Sequence, residues 1–292
     1  MLSKYLSPRN DAAFKRIFNE ERNKDILMHF LNDILPLKSA IKRVSFLKTV
    51  QNAEIAALRE SLIDTMCEDE NGERFIVEMQ VAHERGFDKR SLYYAARAYL
   101  SQRGKDVHYK DLKNVYFLAI TGFCPFPNKR DWFSHIGLTD LKTHEHDIAS
   151  IQLFFLQLPL FEKTKEDIKG MSIREKWAYF FKHADETREE ELEEIVGKDL
   201  VIKKAYDELN RFSWSEQDLL YYESVDMKIC SDLAALEAAE ERGIEKGMEK
   251  GIEKGRKEEK LIIAMKLLAR GMSIEEVSEM TELAIEEAQS LE

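Results

Sequence analysis

The chain has 292 residues, a formal net charge of −11, and hydrophobic and charged fractions of 44% and 34%. That is enough for one large domain or two smaller ones, and no apolar run approaches the roughly 18 residues of a membrane span. The charge argues at first sight against nucleic acid, but the acidity is concentrated beyond residue 160, while the first half is near neutral and can offer local basic clusters to phosphate. The opening residues lack the apolar core of a signal peptide. Cys67, Cys124 and Cys230 are scattered, with no CxxC. Reduced thiols, a cytoplasmic setting and no zinc site are therefore expected.

Asp11 to Phe18 predicts a helix, with Phe14, Ile17 and Phe18 on one face and Asp11 in the first turn, where a carboxylate suits the helix dipole. A second helix is expected over about Asn23–Leu35, ended by Pro36, then a strand over Lys42–Val50. Ser61–Val81 reads as a hairpin around Asn71-Gly72. A three-residue loop, Glu70-Asn71-Gly72, pairs Asp69 with Glu73 and so sets Asp64 across from Glu78 and Leu62 across from Gln80. Ile63, Thr65, Cys67, Phe75, Val77 and Met79 then share the other face. Two opposed carboxylates destabilise a sheet. A divalent cation such as magnesium would compensate them; the other reading is an exposed face with incidental acids.

Arg90–Gln102 predicts a helix that buries Leu92, Ala95, Ala96 and Tyr99, with Arg90 and Arg97 either solvated or in contact with phosphate. Val115–Ile120 reads as a buried strand and Ile151–Phe161 as another, closed near Pro159. The order αβββαβ gives a mixed sheet wrapped by helices, of α/β or α+β type. His144-Glu145-His146-Asp147 lacks metal-ligand spacing. Met171–His183 and Glu189–Phe212 are amphipathic helices with Trp177, Phe180 and Phe181 in the core. In 237–260 glycine recurs every four residues among Glu and Lys, as either an exposed helix or a tether. Leu261–Gly271 reads as a further helix, and Ser273 to Glu276 as a capping box that opens a last helical module. The acidity of that module favours oligomerisation or partner docking over base reading. The domains expected are 1–165, 166–236, 237–260 and 261–292.

Asn10–Phe18, Arg59–Asp64, Gly72–Gln80, Lys89–Tyr94 and Leu156–Phe161, in this order and spacing, resemble the PD-(D/E)XK nuclease family transposases, the Rpn or recombination-promoting nuclease group. The resemblance covers nearly the whole chain. It implies a restriction-endonuclease-like αβββαβ core with an all-α C-terminal extension, and a magnesium- or manganese-dependent DNA endonuclease linked to recombination. It implies Asp64, Glu78 and Asp11 as metal ligands and catalytic acids. Gln80 stands in the lysine place of the motif and orients water without supplying charge. Ile63 stands where the motif has proline. Lys89, Arg90 and Arg97 are candidates for the DNA backbone, a contact of low sequence specificity. A homo-oligomer through the C-terminal helices is expected, and the rival expectation is a catalytically inactive, DNA-associated or self-assembling scaffold.

Overall fold

Asn10 starts the first helix, its side chain accepting from the Ala12 N–H at 3.0 Å, the cap that leaves Asp11 free for another role. In the computed structural model, which describes residues 3–47, 63–102, 107–197 and 199–291, helix α1 (Asp11–Phe18) buries Ala12, Ala13, Phe14, Ile17 and Phe18. Helix α2 (Lys24–Ile34) buries Ile26, Leu27, Phe30, Leu31 and Ile34 against the same core. Leu62, Arg59 and the rest of the Gln51–Arg59 connection lie outside the described residues, as do positions 48–50 of the strand expected over Lys42–Val50.

Among the described residues six strands form one mixed sheet in the order β1-β2-β3-β4-β6-β5. They are β1 (Val44–Phe46), β2 (Thr65–Asp69), β3 (Arg74–Gln80), β4 (Val115–Thr121), β5 (Phe133–Gly137) and β6 (Ile151–Gln157). The central pairs β3–β4 and β4–β6 are parallel and the outer pairs antiparallel. Helix α3 (Phe87–Leu100) makes the crossover from β3 to β4. The expected αβββαβ order is present, with β5 added at one edge. That strand is short and carries His135 and Gly137 after Pro125 and Pro127, so its sequence has little of the alternation that marks a strand.

Both faces of the central strands are buried, which is why β3 and β4 read as apolar runs. Cys67, Phe75, Val77 and Met79 join Tyr116, Leu118, Phe154 and Leu156 beneath α1 and α2. Burial pushes the Cys67 thiol up to about 12. On the other face Ile76, Phe117, Ala119 and Phe155 pack against Phe87, Ala95 and Ala98 of α3. Leu92 is half exposed, contrary to expectation, because Phe87 anchors the helix and sets the buried phase at Phe87, Ser91, Ala95 and Ala98. Ile63 likewise packs with Met66 and Ile76, on the face opposite Cys67.

Three helices follow: α4 (Ile173–His183), α5 (Glu189–Val196) and α6 (Leu200–Glu208). Trp177, Phe180 and Phe181 of α4 are core residues, as expected. A single helix over Glu189–Phe212 is not formed. Gly197 turns the chain at φ +60°, and Asp199 caps α6 by accepting from the Val201 and Ile202 N–H groups. Leu192, Ile195, Ile202 and Tyr206 share one core with α1 and β3. The chain divides into compact units Met1–Ile229 and Cys230–Glu292.

Helix α7 (Glu216–Leu268) runs for 53 residues and takes in both the glycine repeat and the helix expected from Leu261. A Cβ at Gly243, Gly247, Gly251 or Gly255 would meet nothing within 4 Å. Glu and Lys, good helix formers, carry this stretch. In the second unit Ala264, Val277, Leu283 and Ala288 form a small core with helices α8 (Ile274–Thr281) and α9 (Ile285–Gln289). The Ser273–Glu276 capping box is present. Among the described residues no helix is long and apolar enough to cross a membrane.

Candidate active site

The hairpin turn fixes the register. The Asp69 N–H donates to the Glu73 carbonyl at 3.0 Å and the Gly72 N–H to the Asp69 carbonyl at 3.1 Å. Gly72 sits at φ +80°, in the left-handed region that such three-residue loops require. Thr65 pairs with Val77 and Cys67 with Phe75. Continued by one residue, that register sets Asp64 opposite Glu78, as the three-residue loop predicts.

At Asp64 strand β2 gives way to a bend, and the side chain takes over the pairing. Its Oδ2 accepts from the Met79 N–H at 2.8 Å, and the Asp64 N–H faces Glu78 Oε2 at 3.4 Å. Glu78 is 0% exposed. Its Oε1 accepts from Gln80 Nε2 at 3.0 Å and from Arg90 Nη2 at 3.2 Å. Arg90, 15% exposed, also pairs with Glu84 and lies over the Phe87 ring at 4.9 Å. The expected polar face is thus a buried one, roofed by α3 and shared with Ile76 and Met66.

Helix α1 brings the third acid. Asp11 lies close enough to Asp64 for its charge and side chain to act on the Asp64 carboxyl. On the other side Asp11 Oδ2 accepts from Lys15 Nζ at 2.8 Å. Burial pushes the Asp64 carboxyl up to about 7; the Met79 N–H bond and Lys15 oppose the rise, and the charge on Asp11 adds to it. Burial, and then the charge of Asp64, holds Glu78 well above the usual carboxylate range, against the pull of Arg90 and Gln80.

With Asp11, Asp64 and Glu78 ionised, such a site would hold more negative charge than Lys15 and Arg90 balance, and its donors are hard oxygens. Among the described residues no group of three or more His, Cys, Asp or Glu is arranged to hold a metal ion. Magnesium does not need one, because it is bound by one or two carboxylates with water and phosphate completing the shell. Asp64 and Glu78 fit that requirement, and a cation between them would offset the mutual repulsion of their charges.

The structure thus brings together Asp11, Asp64, Glu78 and Gln80. Arg90, expected at the DNA backbone, is drawn into the acid group. Lys89 is exposed and Arg97 half-buried on the same helix. The His144–Asp147 segment is exposed. Two participants were not foreseen. Glu84 follows the hairpin in a polar loop and has no distinguishing spacing. Lys15 carries a signal, since it stands four residues after Asp11 on the polar side of an amphipathic helix.

A family model described as PD-(D/E)XK nuclease family transposase matches residues 8–239. No curated protein and no solved structure matches the chain.

Proposed function

This chain belongs to the PD-(D/E)XK nuclease family transposases, and we propose that it is a magnesium-dependent DNA endonuclease of low sequence specificity, acting in the cytoplasm. The observation that carries the reading is the opposition of Asp64 and Glu78 at the open end of the hairpin, with Asp11 and Gln80 beside them. Asp64 and Glu78 would hold the ion and Asp11 would border it. Manganese suits the same oxygens. When bound, the ion supplies Lewis-acid stabilisation of the phosphate oxygens and a more acidic water.

The rest falls to the chain itself. The Met79 N–H and the Arg90 guanidinium fix the two carboxylates in place. Gln80 spends a donor on Glu78 and keeps its amide oxygen to orient a water, with no change of protonation. Hydrolysis joins the water oxygen to phosphorus and breaks one phosphorus–ester bond; one water proton passes to solvent and the leaving oxygen takes one back. Lys89 and Arg97 on α3 are the contacts proposed for the DNA backbone, which carries no sequence information. The exposed Ile244, Met248 and Ile252 of α7 support self-association through the C-terminal helices.

Plasmid nicking tests the reading, with magnesium or EDTA, for wild type and Asp64→Ala. Nicking by the wild type with magnesium alone supports it, and equal activity in all four samples overturns it. One observation favours the rival, a catalytically inactive DNA-associated scaffold: Gln80 leaves the motif without its lysine. Calorimetry separates the two, because a working site takes up magnesium with an affinity that Glu78→Ala removes.

A further inference from the structure

A phosphoryl-transfer site needs positive charge where the phosphate oxygens gain negative charge. At the lysine position of the motif this chain has Gln80, which is neutral at every pH. Arg90 does not fill the gap. It is 15% exposed and committed to Glu78 and Glu84. Arg16 is held by Glu208 at 3.2 Å and stacks over Trp214.

Lys15 is placed differently. It sits one turn beyond Asp11, with its Nζ 2.8 Å from Asp11 Oδ2, and its charge reaches Asp64. Its side chain is 44% exposed. It also lines a cavity of about 270 Å³ between α1 and the Trp214–Tyr221 segment, together with Ala12, Asn19 and Tyr221. Lys15 thus borders open space on one side and the acid pair of Asp11 and Asp64 on the other. An ion pair as exposed as Lys15–Asp11 adds little to stability, so it opens readily, and the four-carbon stem lets the ammonium swing.

We propose that Lys15 supplies from α1 the positive charge that Gln80 cannot, leaving Asp11 to donate to a non-bridging oxygen of the scissile phosphate. This rests on the nuclease reading. In the resting protein Asp11 holds the ammonium at the mouth of the site. As substrate enters, the Lys15 N–H groups turn to the phosphate, where negative charge grows as the water oxygen attacks. Lysine thus reaches the phosphate from a helix instead of from β3, and Gln80 is left to orient the water.

The test uses the full chain and two readouts. In cleavage with magnesium, Lys15→Ala lowers kcat by about 100-fold, the effect of removing one donor to a developing charge. KM rises by less than about tenfold, well short of the fall in kcat, and the melting temperature changes by less than about 2 °C. Adding Gln80→Lys to Lys15→Ala recovers kcat to within about tenfold of wild type. The second readout needs no cleavage: binding of a short DNA duplex with calcium in place of magnesium, across a salt series. Losing one phosphate contact lowers the slope of log affinity against log salt by about 0.9. Wild-type kcat in Lys15→Ala, or an unchanged salt slope, overturns the proposal. A wild type that never cleaves but shows the slope change ends the nuclease reading while the Lys15 contact stands. A wild type that does not bind DNA ends both.

Discussion

The Met79 N–H donates to the Asp64 carboxylate at 2.8 Å, across the gap where β2 stops pairing with β3. An acidic side chain thus stands in for a strand carbonyl. The bond anchors the acid to the main chain of the neighbouring strand, a more rigid support than another side chain gives. It also keeps a charge in a place that burial disfavours, beside Asp11 and Glu78.

Asp64→Asn preserves an acceptor for Met79 and removes the like charge. Cleavage is expected to fall below about 1% of wild type. The metal-free protein is expected to melt about 2 °C higher, the change that roughly 1 kcal/mol produces in a chain of this size. Thermal melts in EDTA measure the second effect. A lower melting point in Asp64→Asn would count against repulsion at the site.

The elevated Asp64 carboxyl, at about 7, has a consequence for pH. Between the usual carboxylate range and pH 7 the native protein holds a proton that the unfolded chain has lost. Stability from this group is therefore complete below about pH 4 and lost as pH rises through 7. On the proposed reading a cation would take the place of the proton, and magnesium at 100 times its Kd is expected to add about 2.7 kcal/mol at pH 8. It adds less at pH 5, where its ligands must first lose protons. Melts at both pH values with EDTA or magnesium give the comparison, and an equal magnesium shift at pH 5 and 8 would refute the assignment.

The hairpin was readable in advance because period-two alternation and the Asn-Gly turn fix register locally. Asp64 and Glu78 follow from counting back through the loop. The roles of Arg90 and Lys15 do not follow that way. Arg90 meets Glu78 only because Phe87, three residues before it, sets the rotation of α3, and the apolar Leu92 pointed to another phase. Lys15 and Asp11 are partners by spacing, but their approach to Asp64 depends on how α1 packs on the sheet. The break between α5 and α6 turned on Gly197 and Asp199, two stop-and-start signals within an otherwise continuous amphipathic pattern.

Arg90→Ala leaves Glu78 without its cation in a fully buried place. Removing one partner of a buried pair costs about 3–5 kcal/mol, a loss expected in urea unfolding. Adding Glu78→Gln should recover most of it, since the remaining group is then neutral. Equal losses in the single and double variants would argue that Arg90 acts through its stacking on Phe87 instead.

Two glycines should respond to alanine with opposite signs. Gly72→Ala forces a side chain into φ +80° and is expected to cost about 1 kcal/mol. Gly247→Ala, in a helical stretch with open space around the new Cβ, is expected to gain about 1 kcal/mol of helix stability. Circular dichroism melts of the full chain in dilute solution report both. Destabilisation by Gly247→Ala would instead point to close packing on that stripe.

Cys67, buried on the same hairpin arm as Asp64 with its thiol at about 12, makes the protein its own stopwatch. A thiol that neither ionises nor meets solvent reacts with a labelling reagent only when the strands part. Cys230 is exposed and Cys124 half-buried, so they label first and serve as internal references. The slow third event then times the opening of the strand pair that carries Asp64 and Glu78, without any engineered probe.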